Sequence, residues 1–109
     1  MNVKLLSDYR RTSPEKLLKH NLFQTDRFFL DVYCLKAGQA QSAHVHADAD
    51  KVYIVLEGRC SFTVGHDTAE HGVGAAVHCP AGEPHGVLNP GPEDARLLVL
   101  MTPPPRKVQ

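Results

Sequence analysis

From Arg27 to Met101 the sequence never sustains a helical period. Short runs whose apolar residues recur at every second position alternate instead with turns rich in glycine and proline. A chain built this way closes a core by folding sheets against each other. Arg27 to Leu35 sets Phe28, Leu30, Val32 and Cys34 on one face and Phe29, Asp31, Tyr33 and Leu35 on the other. Cys60, Phe62 and Val64 alternate with Ser61 and Thr63, the period of a half-buried strand, whereas Val52 to Leu56 and Leu97 to Met101 are apolar on both faces. Turn signals separate these runs at Ala37-Gly38, Glu57-Gly58, Gly65-His66-Asp67, His71-Gly72 with Gly74, and Pro90-Gly91-Pro92. The pattern predicts an all-β sandwich or barrel. A parallel α/β fold would need helices between the strands, and none is visible after residue 24.

The barrel is expected over residues 27–102, preceded by an arm and one short helix over 1–26. Thr12-Ser13-Pro14-Glu15 has the form of a capping box with proline early in the first turn, ahead of Leu17, Leu18 and Leu22. Residues 103–109, with Pro103-Pro104-Pro105, read as a disordered or polyproline tail. A length of 109 residues suffices for one domain with a real core and not for two. Twelve Lys and Arg balance twelve Asp and Glu, so the chain has no electrostatic footprint for nucleic acid or an acidic membrane surface. Its longest apolar run, Leu97 to Met101, is far short of the roughly 20 residues of a membrane span. Charged residues scattered through the first twenty positions leave no signal-peptide core. Three cysteines, an odd number, argue against a disulfide framework and for a reducing cytoplasm.

Seven histidines stand in the chain, about three times the usual share. His44 and His46 are two apart, so on a strand both imidazoles leave one face. His85 follows the tight turn Pro80-Ala81-Gly82-Glu83-Pro84. A barrel can bring the three rings together around one ion, and neutral imidazole is the commonest side-chain ligand for transition metals. Standing alone, an HxH and a distant histidine are equally readable as surface or core residues.

Their surroundings carry more. Gly38, five residues, His44-Val45-His46, then Lys51 and Gly58 have the frame G-x5-H-x-H-x4-E-x6-G with one departure. Gly74, five residues, Pro80-x-Gly82-x2-His85-x3-Asn89 match G-x5-P-x-G-x2-H-x3-N at every fixed position. By average residue usage, the second set of matches arises by chance on the order of once in a million starting points. Fifteen residues, Arg59 to Val73, separate the two frames. On these motifs the stretch from residue 27 to 101 resembles the cupin superfamily, in the form of a small single-domain cupin. The resemblance implies a double-stranded β-helix (jelly-roll) barrel with a metal near its mouth. Carried over, His44, His46 and His85 match the family's histidine ligands for zinc, iron, nickel, manganese or copper.

Where the family keeps its carboxylate ligand, this chain has Lys51. An ammonium cannot ligate, and beside a divalent ion it adds repulsion. Three outcomes stay open: a three-histidine site; a substitute carboxylate from Asp48, Asp50 or Glu83; or a metal-free pocket in which the histidines bind a ligand directly. Strand phase turns Lys51 inward with Tyr53 and Val55 and leaves Val52, Ile54 and Leu56 outward. That outward face needs cover, so a two-fold homodimer is expected, with the arm packing across the partner. Tyr33, Tyr53 and Phe62 are the expected pocket lining, and Lys51 and Tyr53 the candidates for stabilising developing charge. His20, His66, His71 and His78 read as ordinary surface or structural residues, and Cys34, Cys60 and Cys79 as small buried ones. The resemblance implies a metal site open to a small anionic ligand, with dioxygenase-like activity as in three-histidine cupins acting on thiols or diketones. A non-catalytic small-molecule or metal-binding module is the alternative. No inward Asp or Glu can be named, so an isomerase or epimerase is the weaker reading.

Overall fold

Alternating side chains along Phe29–Leu35 require a sheet with two different faces, and the computed structural model, which describes residues 1–104, supplies one. The strands are β1 (Leu18–Gln24), β2 (Phe29–Leu35), β3 (Ala40–His44), β4 (Asp50–Glu57) and β5 (Arg59–Val64). They continue as β6 (Asp67–Gly72), β7 (Ala76–Cys79), β8 (His85–Leu88) and β9 (Ala95–Thr102). A five-stranded sheet in the order β1-β2-β9-β4-β7 faces a four-stranded sheet in the order β3-β8-β5-β6. Neighbouring strands run antiparallel, the two-layer arrangement of a double-stranded β-helix.

Register decides what fills the space between the sheets. Lys51↔Met101, Tyr53↔Val99 and Val55↔Leu97 are paired across β4 and β9, and directly opposed residues share a face. Tyr33, Leu35, Tyr53, Val55, Leu97 and Val99 therefore meet Cys60, Phe62 and Val87 of the other sheet in one core. Gly58 turns the chain from β4 into β5 at φ +72, and a Cβ there would stand 2.6 Å from the carbonyl oxygen of Asp94. Only glycine fits both the conformation and the approach.

The outer face of the larger sheet is covered in part by the chain's own N-terminal arm. Leu6 and Tyr9 pack with Leu22, Val32, Cys34, Leu56 and Leu98. Arg96 clamps the arm, its Nη1 donating to the carbonyls of Leu6 (2.8 Å) and Tyr9 (3.2 Å). Arg96 and Arg10 both bind the Glu57 carboxylate and hold it below its usual range.

The helix expected after Thr12-Ser13-Pro14-Glu15 does not form there. A 3-10 turn occupies Leu6–Asp8 instead, and residues 18–24 are strand β1. Leu18, His20 and Leu22 fit a strand period as well as a helical one. Pairing Leu18 with Cys34 and His20 with Val32 satisfies the backbone and buries Leu22 to 5% exposure; this tertiary gain outweighs local helix preference. The boundary drawn between residues 26 and 27 thus falls in the β1–β2 hairpin, where Thr25 N–H donates to the Phe28 carbonyl at 2.9 Å. Of the proline-rich tail expected over 103–109, residues 105–109 lie outside the described residues. Among the described residues no helix is long and apolar enough to cross a membrane.

Candidate metal centre

Strand β8 brings the two sequence motifs together. Its pairing with β3 aligns Gln41 with Val87 and His44 with His85, so β3 spends one residue more than β8 between those pairs. This bulge has a consequence for side-chain direction. Gln41 and His44 are three apart and would face opposite sides of a regular strand; the extra residue lets both line the same cavity. Gly86 makes the close approach of β3 possible, since a Cβ there would lie 2.8 Å from the backbone carbonyl oxygen of Gln41 and 3.0 Å from the backbone nitrogen of Ala43. The loop after β3 is tied to the motif-two turn by Gly82 N–H donating to the His46 carbonyl at 2.9 Å.

The three imidazoles converge. Ring centroids are 4.3 Å apart for His44 and His85, 4.8 Å for His44 and His46, and 5.5 Å for His46 and His85. One ring nitrogen from each lies within 4.8 Å of the others. His44 Nδ1 is 2.8 Å from the Ser42 carbonyl and His85 Nδ1 is 3.1 Å from the Glu83 carbonyl. A carbonyl oxygen only accepts, so these contacts put the proton on Nδ1 and leave the Nε2 lone pair free. Both Nε2 atoms are buried and have no hydrogen-bond partner, a condition that buried polar atoms rarely tolerate without a ligand. Burial lowers the pKa of all three histidines, with His85 pushed down to about 4. They are therefore neutral at pH 7, the form that ligates metals. Three converging neutral imidazoles, two of them with buried and unpartnered Nε2 lone pairs, fit a divalent transition ion.

Lys51 points inward, only 1% exposed. Its Nζ donates to Gln41 Oε1 at 3.2 Å and lies 3.5 Å from the Tyr53 hydroxyl, which itself donates to the same Oε1 at 3.1 Å. Burial, followed by repulsion from Lys19, pushes its pKa down to about 8. The substitute carboxylates are all elsewhere. Asp50 faces outward and accepts from Ala81 N–H (2.9 Å) and His78 Nε2 (3.4 Å). Asp48 and Glu83 are exposed, and among the described residues no carboxylate joins the histidine cluster.

A cavity of about 250 Å³ opens beside the histidines, lined by His44, His46, Lys51, Tyr33, Gln41, Asp31 and Lys19 among others. Tyr33 lies in its wall as expected. Tyr53 and Phe62 sit deeper, in the core with ring centroids 5.4 Å apart, and neither lines the cavity. Both side chains point between the sheets, but each is packed against the other inside the core and so does not reach the cavity. Three polar wall residues were not singled out by sequence, and one of them, Asp31, is an inward carboxylate where none was expected. Asp31, whose pKa is raised by burial, accepts from Asn21 Nδ2 at 2.8 Å. Lys19 reaches in from β1, and Gln41 from the bulge. Asp31 shares the phase of Tyr33, the one signal that could have found it. Of the other histidines, His20 bonds the Arg11 carbonyl at 2.9 Å and His78 pairs with Asp50. His71 lies on strand β6 and His66 in the turn before it, and neither is in the cluster. The three cysteines are free and buried.

A cupin-domain family model matches residues 31–101. Among solved structures, the protein TT1209 from Thermus thermophilus superposes with a TM-score of 0.93 at 45% identity, covering 96% of this chain and 100% of that one. An RmlC-like cupin from Desulfovibrio desulfuricans is similar at a TM-score of 0.85 and 26% identity, covering 96% and 99%. By sequence, an uncharacterised protein of Methanocaldococcus jannaschii is 26% identical over 89 residues, 82% of this chain and 71% of that protein. Two facing antiparallel sheets joined around the paired motifs agree with these likenesses, and the chain belongs to the cupin superfamily as a small single-domain member.

Proposed function

We propose that this cupin binds a divalent transition metal through His44, His46 and His85 and holds a small anionic ligand between that metal and Lys51, in a dioxygenase-like reaction. The observation that carries the reading is the pair of buried Nε2 atoms without partners, each on a ring locked by its own Nδ1 contact. A bound redox-active ion would supply oxygen activation, and a zinc ion Lewis acidity. The protein's own groups bind and orient. Lys51, with its pKa near 8, is mostly an ammonium at pH 7 and attracts the ligand's negative charge. Tyr53 commits its proton to Gln41, and burial raises its pKa; it stays neutral and acts as a positioning residue rather than an acid.

Two further readings belong with this one. Val52 and Ile54 are half-buried on the outer face and lie outside the cluster that the arm covers, which favours a two-fold homodimer across that face. Sedimentation at twice the 12.0 kDa chain mass supports it, and sedimentation as a monomer refutes it. Three buried free thiols suit a reducing compartment, and this reading puts the chain in the cytoplasm.

The test of activity is oxygen uptake by the iron-loaded protein with a panel of small organic acids and thiols. Uptake that depends on one of them and disappears in His85→Ala supports the reaction. Stoichiometric metal with no uptake on any of them overturns it in favour of a non-catalytic binding module.

A further inference from the structure

We propose that Gln41 sets the ligand class of this cavity. By anchoring Lys51 through a neutral amide oxygen, it leaves the lysine's charge free for a small dicarboxylate. One carboxylate would sit against Lys51 and the other would reach the histidine-held metal. The second half of that statement rests on the metal reading above; the first does not.

A lysine at 1% exposure nearly always has a carboxylate against it. Here the partners are an amide oxygen and a phenol. No carboxylate of the described residues is within ion-pair distance of Nζ. Asp31 lines the same cavity but is bonded to Asn21. Lys19 brings a second ammonium: its Nζ is 5.4 Å from the Tyr33 ring centroid, and Lys51 Nζ is 5.7 Å from the same centroid. The wall thus holds two cations against one carboxylate before any metal is added. In setting the proton affinity of Lys51, repulsion from Lys19 outranks attraction by Asp31. An adjoining groove lined by Lys16, Lys19 and Gln41 extends this basic surface outward.

Gln41 is what keeps the charge uncompensated. Its Oε1 accepts from both Lys51 and Tyr53, which uses both lone pairs of a carbonyl oxygen. A glutamate in its place would set a full negative charge about 3.2 Å from Nζ and close an internal ion pair. Size bounds the ligand: 250 Å³ is the share of roughly eight waters, room for an acid of three to five carbons.

The test titrates malonate, with acetate as the single-carboxylate control, into zinc-loaded and chelator-stripped protein by calorimetry. In the zinc form, malonate should bind at least tenfold more tightly than acetate. Gln41→Glu should weaken malonate at least tenfold while zinc stoichiometry stays at that of the wild type. Lys51→Met, an uncharged side chain of similar length, should weaken it equally and guards against a folding defect in the first variant. In stripped protein, wild type should still bind malonate, and Gln41→Glu should not. Equal malonate affinity in wild type and Gln41→Glu overturns the assignment, as does a wild type that binds no malonate in either form. A wild type that takes no zinc contradicts the metal reading alone, because the stripped-protein comparison still decides the role of Gln41.

Discussion

Lys51→Met keeps the length of the side chain on β4 and removes its charge, so comparison with the wild type isolates the cost of burying an ammonium. Lowering the lysine pKa from 10.5 to about 8 corresponds to about 3 kcal/mol of disfavoured charge. Losing the bond to Gln41 gives back roughly 1 kcal/mol. The metal-free variant should therefore be about 2 kcal/mol more stable at pH 7, in line with other replacements of buried charges by apolar residues. The sign with pH follows from proton counts. Below pH 8 Lys51 is protonated both folded and unfolded, and the whole penalty is present. Between pH 8 and 10.5 the unfolded chain keeps a proton that the folded one has released, so wild-type stability rises relative to the variant. The gap should shrink by about 1 kcal/mol at pH 9 and close near pH 10. Urea unfolding followed by circular dichroism at pH 7, 8, 9 and 10, with chelator present, measures it. A methionine variant less stable than wild type at pH 7, or a gap independent of pH, refutes the burial of a charged Lys51.

Other expectations follow from the same structure. Because His85 titrates near pH 4 and the other two histidines are lowered as well, protons compete weakly. Zinc measured by equilibrium dialysis should stay bound at pH 6 and leave only as the pH nears about 4, whereas half-loss at 6.5 or above would contradict this. Gly86→Ala should fold yet weaken zinc binding about tenfold or more, because its Cβ forces β3 and His44 away from His85; unchanged affinity argues against the close approach as the device that builds the site. Asn89, 1% exposed, donates to the carbonyls of Leu35 (2.9 Å) and Glu93 (2.8 Å) and accepts from Gly91 N–H (2.8 Å). Asn89→Ala should cost about 3 kcal/mol in urea unfolding, and a loss well under 1 kcal/mol would show those bonds to be dispensable.

The barrel and the histidine cluster were legible because each rests on short-range regularity. Period two along β2 and β4 set the faces, and fixed spacings around His44, His46 and His85 marked the three rings that the fold brings together. Strand phase also turned Lys51 inward and Val52 and Ile54 outward, as the structure has them. What escaped depends on distant partners. The stretch after Ser13 fits a helix and a strand about equally, and only pairing with β2 decides between them. The arm's course rests on Arg96 reaching the Leu6 carbonyl, 90 residues away in sequence. Gln41 was hidden because its direction depends on a bulge, and the bulge depends on Gly86 in another strand. Asp31 is readable from its phase with Tyr33 on β2, whereas Lys19 joins the wall through the pairing of β1 with β2, which no local pattern relates to the motifs.

The central claim is that His44, His46 and His85 form one metal site, and metal content tests it most directly. Protein grown in medium supplemented with iron, zinc, nickel, manganese and copper, purified without chelator, should carry about one transition ion per chain by mass spectrometry. His44→Ala, prepared identically and shown to be folded, should carry almost none. A wild type without stoichiometric metal, or a His44→Ala variant that keeps it, would contradict the account.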